Sequence, residues 1–216
     1  MFSVSQMSSS ITNNDIDSTS RLDSLLTQRN PANLQLFQKQ YEKLAGKVYL
    51  ANNAKEAVQF IEEIFVGSNV AKVVTAPLPD DVSKKLNKFL KKLKITIVEL
   101  DLKNPDIQNQ IKEADVGISA AEFAIASMGA LVEVTTEDSY RLVSSLPRVH
   151  IAFVKASQII GPLDDAAPRL RNIYNRHKSN CNITFISGPS RTADIEMKLF
   201  LGVHGPQESH VIVCEW

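Results

Sequence analysis

Cysteine is nearly absent from this chain. Two occur among 216 residues, Cys181 and Cys214, and there is no Cys-x-x-Cys. Two thiolates so far apart do not make a recognisable zinc or iron–sulfur ligand set. Each lies in an apolar, strand-like run, where a reduced structural cysteine is the usual occupant. Glycine is scarce as well: 8 are present, where average usage gives about 15. Charge of either sign is not in excess, with 24 Lys plus Arg against 24 Asp plus Glu. That balance removes any global pull toward nucleic acid or an anionic membrane. Long hydrophobic runs are missing too. The stretch Phe123 to Val132 is bounded by Glu122 and Glu133, and a bilayer span needs roughly 20 apolar residues. The first twenty residues hold seven Ser, no basic start and no apolar h-region. They read as a disordered tail rather than a secretory signal. These absences point to the cytoplasm, with no nucleic-acid and no membrane partner.

Chemical motifs are equally sparse. No Gly-x-Gly-x-x-Gly, phosphate-loop, Gly-x-Ser-x-Gly or His-Glu-x-x-His pattern is found. The histidines are His150, His177, His204 and His210. His150 lies inside an apolar strand and reads as a hydrogen-bonded core or near-site residue. No cofactor and no metal site is expected, so any redox role would pass electrons through partner subunits or a bound group.

What is present is rhythm. Arg21–Arg29 and Ala32–Leu44 have helical spacing, split by Asn30-Pro31. Short apolar runs at 47–51, 71–75, 95–100 and 115–119 alternate with helical periods at 54–65, 80–92 and 105–114. That alternation argues βαβ units and a mainly parallel sheet. Further strands are expected at 130–134, 148–154, 182–186 and 210–214. Helical segments are expected at 138–145, 163–177 and 193–201. The organisation is a tail over 1–20 and one α/β domain over 21–216, opened by helices within 21–45. Six lysines between Ser83 and Lys94 lie opposite Leu86, Phe89, Leu90 and Leu93, a solvated helix face rather than a base-stacking patch.

One corner concentrates special residues. Ser187-Gly-Pro-Ser-Arg-Thr-Ala-Asp-Ile-Glu196 follows a strand and leads toward Gly202-Val-His-Gly-Pro206, so three of the eight glycines fall here. Gly188 suits a positive φ, Ser190 or Thr192 a helix cap, and Gly202 a left-handed stop. All of this is consistent with structural punctuation. A ligand reading adds that a helix N-terminus at a strand end, with the Arg191 guanidinium and the two hydroxyls, grips a carboxylate or phosphate, a small carboxylate or polar ligand being favoured over a triphosphate. Asp194 and Glu196 in the first turn disfavour a highly charged phosphate. His204 sits at the far end of the same stretch. In a second constellation Glu122 follows a strand end closely. It either faces the same crevice or pairs with Arg141. The candidate ligand residues are therefore Glu122, Arg141, Gly188, Ser190, Arg191, Thr192, Asp194, Glu196 and His204.

The stretches Ile118-Ser-Ala-Ala-Glu-Phe-Ala-Ile-Ala with Gly129, Arg141-Leu-Val-Ser-Ser-Leu-Pro-Arg-Val-His-Ile, and Ser187-Gly-Pro-Ser-Arg-Thr with Gly202-Val-His-Gly-Pro206 resemble the LutC/YkgG family, also called the LUD domain family. The likeness covers about residues 110 to 214. It implies an α/β layered, mostly parallel sheet flanked by helices, similar to the NagB/RpiA/CoA transferase-like fold. It also implies a part in L-lactate utilisation, oxidising lactate to pyruvate. Lacking cysteine clusters, this chain resembles the small, cluster-free member of that system. The implied partners are iron–sulfur protein subunits. A small carboxylate ligand and a homo-oligomer stay open. Members often carry a Glu-Thr-Gly-Thr-like turn where this chain has Ser127-Met-Gly-Ala130, and no catalytic residue carries over. The alternative is a free-standing CoA-transferase- or sugar-phosphate-isomerase-like enzyme using Glu122 and the Gly188–Thr192 corner.

Overall fold

The two sequence periods, 3.6 and 2, are realised as helices and strands in the expected alternation. The computed structural model describes residues 29–101, 103–177, 181–193, 199–202 and 204–216. The expected tail, and the expected first helix apart from Arg29, lie outside the described residues. In chain order the elements are α1 (Pro31–Lys43), β1 (Lys47–Ala51), α2 (Ala54–Val66), β2 (Lys72–Thr75), α3 (Asp80–Lys92), β3 (Thr96–Val98), α4 (Ile107–Lys112), β4 (Val116–Ala120), β5 (Phe123–Ile125), β6 (Ala130–Thr135), α5 (Asp138–Val143), β7 (Val149–Lys155), β8 (Ile159–Ile160), α6 (Ala166–Arg176), β9 (Asn182–Ile186), β10 (Arg191–Ala193), β11 (Leu199–Leu201) and β12 (Glu208–Cys214).

Helix starts follow local chemistry. The Asn30 side chain accepts from the backbone N–H groups of Ala32 and Asn33, and Pro31 takes the first helical position. Asn53 does the same for α2, accepting from Lys55 and Glu56 at 3.0 Å each. Helix α3 has no side-chain cap. It places Asp80 and Asp81 in its first turn and Lys91 and Lys92 in its last, complementing the helix dipole.

The six-stranded sheet has the order β1-β12-β7-β4-β2-β3, and every pairing in it is parallel. A parallel sheet needs cover on both faces. Along β7, Ile151 and Phe153 join one core with Ile61 of α2 and Leu86 of α3. The alternate residues, Ala152 and Val154, join another core with Phe37 and Tyr41 of α1 and Leu131 of β6. Each such fully buried Ile, Leu or Phe contributes about 1.5–3 kcal/mol of transfer free energy. The lysines of α3 are exposed, as its amphipathic pattern requires.

Beyond α1 lies a second, four-stranded sheet, β8-β5-β6-β9. Strand β5 pairs antiparallel with β6 and parallel with β8, and β6 pairs antiparallel with β9. Its other side packs on Ala166 and Ile173 of α6. The α/β layered, mostly parallel architecture is thus present, with a mixed sheet added to it.

One expected element is corrected. The helix over 193–201 is not formed in its described parts: Arg191–Ala193 and Leu199–Leu201 are strands paired antiparallel, Arg191 facing Leu201. Residues 194–198 lie outside the described residues. Strand β10 is tied back to the following turn instead, because Ser190 N–H donates to the Pro206 carbonyl at 2.8 Å and Gly202 N–H to the Ser190 carbonyl at 2.9 Å. Gly188 and Gly202 do adopt positive φ, +83° and +76°.

Candidate ligand-binding cleft

At the carboxyl end of β4 the chain turns sharply through Ala121 and Glu122. Ala121 N–H donates to the Phe153 carbonyl at 2.7 Å, and Glu122 N–H to the Val132 carbonyl at 2.9 Å. This turn divides a cleft into two lobes, both of which Ala120 and Glu122 line. The cleft sits where open α/β sheets bind ligands, at strand carboxyl ends.

The outer lobe holds about 440 Å³. Its apolar lining includes Ala121, Phe153, Val154 and Trp216, and Lys155, Gln158 and Asp81 supply polarity. The Trp216 indole N–H donates to the Asp81 carboxylate at 2.5 Å, which fixes the ring at the rim. Cys214 also lines this lobe. Burial first, and Asp81 second, push its thiol up to about 12, against a lowering by Lys155. It is a neutral thiol and a poor nucleophile at neutral pH.

The inner lobe is smaller, about 220 Å³, and more polar. Ser119, Glu133, Thr135, Tyr140 and His177 line it. Glu133 comes from β6, is 2% exposed, and meets a buried cluster. The Ser119 hydroxyl donates to Oε1 of Glu133 and lies 2.8 Å from Nε2 of His150. Nε2 is 3.5 Å from the same carboxylate oxygen. Burial pushes the Glu133 carboxyl up. Hydrogen bonding and charge from His150, with hydrogen bonds from Ser119 and Ser144, outweigh it and hold the group below the usual carboxylate range. The result is a charged acceptor at a nearly dry position.

The arrangement is not that of a nucleophilic triad. There an acid holds the far nitrogen of the imidazole while the near one faces the serine. Here acid and imidazole meet at the same hydroxyl, and Nδ1 of His150 has no hydrogen-bond partner among the described residues. Ser119 is therefore a bridge, and Glu133 is the group available for hydrogen bonding or proton exchange.

The sequence-predicted residues divide between two ends of the sheet. Glu122 is in the cleft, but its partner is Arg176 of α6, at 2.8 Å, and not Arg141. Arg141 instead reaches Asp138 of its own helix at 3.6 Å, one turn away. The corner lies at the opposite end. Gln207 N–H donates to the Arg148 carbonyl, just before β7, and a Cβ on Gly188 would stand 2.6 Å from the Leu44 carbonyl oxygen. Gly188, Ser190, Arg191 and the exposed His204 thus sit by the amino ends of β1, β7 and β12. Seven-residue strands put them roughly 20 Å from the cleft. Thr192 is in β10 by its backbone, facing Phe200. Asp194 and Glu196 lie outside the described residues.

Glu133 is the residue that sequence reasoning missed. The available signal was a lone carboxylate inside the apolar strand Ala130-Leu-Val-Glu-Val134, since such a charge is rarely buried unless paired.

Comparison with known proteins places the chain in a family. The family model of the LUD domain matches residues 34–214. The chain belongs to the LUD domain family. Among its relatives are proteins called lactate utilization protein C. That of Shouchella clausii is 36% identical over 115 residues, covering 52% of this chain and 50% of the relative. That of Bacillus subtilis is 40% identical over 103 residues, 47% of this chain and 43% of the relative. That of Anoxybacillus flavithermus is 27% identical over 165 residues, 76% and 73% of the two chains. The chain thus matches about half the length of most of these curated relatives. A crystal structure of a DUF162 family protein from Deinococcus radiodurans superposes with a TM-score of 0.59 at 17% identity, covering 85% of this chain and 96% of that one. This neighbour supports the fold of the LUD domain. Among the described residues of this chain no helix is long and apolar enough to cross a membrane, and no group of three or more His, Cys, Asp or Glu side chains could hold a metal ion.

Proposed function

We propose that this LUD domain protein is a cytoplasmic, cluster-free component of an L-lactate utilisation system, working beside iron–sulfur protein subunits. Residues 21–216 form its single domain, behind a tail. The observation that carries the reading is the family match over residues 34–214, together with relatives named for lactate utilisation. The two-lobed cleft at the strand carboxyl ends supports an accessory role in which a small ligand is held there. This chain's two cysteines are too few for a four-thiolate cluster of its own, so electrons pass through partners. Deleting the gene should abolish or slow growth on L-lactate, and the intact gene should restore it. Affinity capture of the native protein should recover iron–sulfur subunits. Normal growth on L-lactate after deletion would refute the assignment.

A second reading is a transferase- or isomerase-like enzyme with Glu122 as nucleophile or base. What favours it is the position of Glu122 on both lobes. In that case Arg191 and the Gly188–Thr192 corner, at the other end of the sheet, act on a separate anion. Thermal-shift measurements with coenzyme A thioesters and sugar phosphates test it, and no stabilisation by any of them removes it.

A further inference from the structure

We propose that the inner lobe is a binding site for small molecules that present a hydroxyl hydrogen, with Glu133 as the acceptor and Thr135 as a second polar contact. This deepens the proposed function: it rests on ligand binding in the cleft, while the ligand class follows from the lobe itself.

Three observations support it. First, Glu133 lines the lobe and is held ionised by Ser119, Ser144 and His150. An ionised carboxylate only accepts hydrogen bonds. It therefore favours a ligand hydroxyl and repels a carbonyl oxygen placed at the same point. Second, Thr135 lines the same lobe, and its buried Oγ1 has no hydrogen-bond partner among the described residues. Leaving a buried hydroxyl unmatched costs about 1–3 kcal/mol, and a ligand polar atom would recover it. Third, the size is right for a small molecule. The lobe holds about 220 Å³, well beyond the space that a single water needs.

The charges around the lobe set the orientation. Glu133 lies at its inner wall. Arg176, paired with Glu122, lies at the mouth with His177, and Lys155 lies in the adjoining outer lobe. A ligand carrying both a hydroxyl and a carboxylate fits one way round, hydroxyl inward and carboxylate outward. A site that hydrogen-bonds a hydroxyl rejects the analogue lacking it, because its polar groups are then left unpaired.

The test titrates the purified full chain with L-lactate, pyruvate and 1,2-propanediol by calorimetry. L-Lactate and pyruvate differ in the hydroxyl, and the neutral diol separates the hydroxyl site from the lactate assignment. The expected result is that L-lactate binds at least tenfold more tightly than pyruvate. Binding of the diol without L-lactate supports the hydroxyl site and counts against the lactate reading. Pyruvate binding as tightly as L-lactate, or no binding of either hydroxyl probe, overturns the proposal. Glu133→Gln should erase the preference for hydroxyl over keto, because an amide can donate to the keto oxygen. Thr135→Val serves should that buried substitution fail to fold. It should keep or raise the melting temperature while weakening whichever hydroxyl probe binds the wild type about tenfold. Unchanged affinity in a folded Thr135→Val protein removes Thr135 from the site and overturns the two-contact proposal.

Discussion

Glu133 stays charged because three strands converge on one point: β4 brings the Ser119 hydroxyl, β7 brings His150, and β6 brings the carboxylate that accepts. Removing one partner leaves a buried charge poorly compensated. His150→Ala should cost about 3 kcal/mol or more in urea unfolding. A loss under 1 kcal/mol would contradict the account of the cluster. His210, buried beside Tyr49 and Glu208, behaves differently. Burial and the Lys47 charge lower its pKa from 6.5 to about 4, against a raising by Glu208. The unfolded chain then takes up a proton near pH 6.5, while the folded chain does so near 4. Stability should therefore fall as pH drops through that window, by at most about 1.4 kcal/mol per pH unit. His210→Leu should flatten the melting temperature between pH 7 and 4.5. Glu133 has the other kind of shift, a lowered carboxyl, and its contribution is lost only at more acid pH, as the carboxylate protonates.

At the scale of elements, close approach decides what the strands tolerate. A Cβ added to Gly117 in β4 would stand 1.9 Å from the Val143 carbonyl oxygen at the end of α5. Backbone cannot give way cheaply, so Gly117→Ala should destabilise by about 2 kcal/mol or more, seen as a lower denaturation midpoint. The first half of the fold was legible for a related reason. Runs such as Lys47–Ala51 and Ala54–Phe65 carry their own period, and a helix of thirteen residues declares its buried face in sequence. The second sheet was legible only in half, since its strands β6 and β9 match the runs at 130–134 and 182–186. Strands β5 and β8 have three and two residues, too short to display alternation, and they exist because β6 pairs with β5 and β5 in turn with β8. Spacing over 193–201 predicts a helix where the described residues pair as β10 and β11, because partners close in sequence fit either form.

For the whole molecule, the cleft and the Gly188 corner make separable claims. Lys155→Met and Glu122→Gln alter the cleft and should slow growth on L-lactate, with purified variants melting within a few degrees of wild type. Arg191→Ala alters the other end of the sheet and should leave that growth unchanged. The reverse pattern would move the functional site to the corner. All three substitutions are at exposed or partly exposed positions, where stability effects are usually within about 0.5 kcal/mol.

The sequence by itself determined the α/β class, the parallel alternation, the solvated lysine face of α3 and the positive-φ glycines at 188 and 202. These follow from local periodicity and local backbone sterics. Tertiary structure alone decided which special residues meet. It took Arg141 away from Glu122 and supplied Arg176. It set the Arg191 corner at the opposite end of the sheet, and it assembled Ser119, Glu133 and His150. Those contacts join residues 14 to 54 positions apart, and strand order, which no local pattern encodes, fixes them.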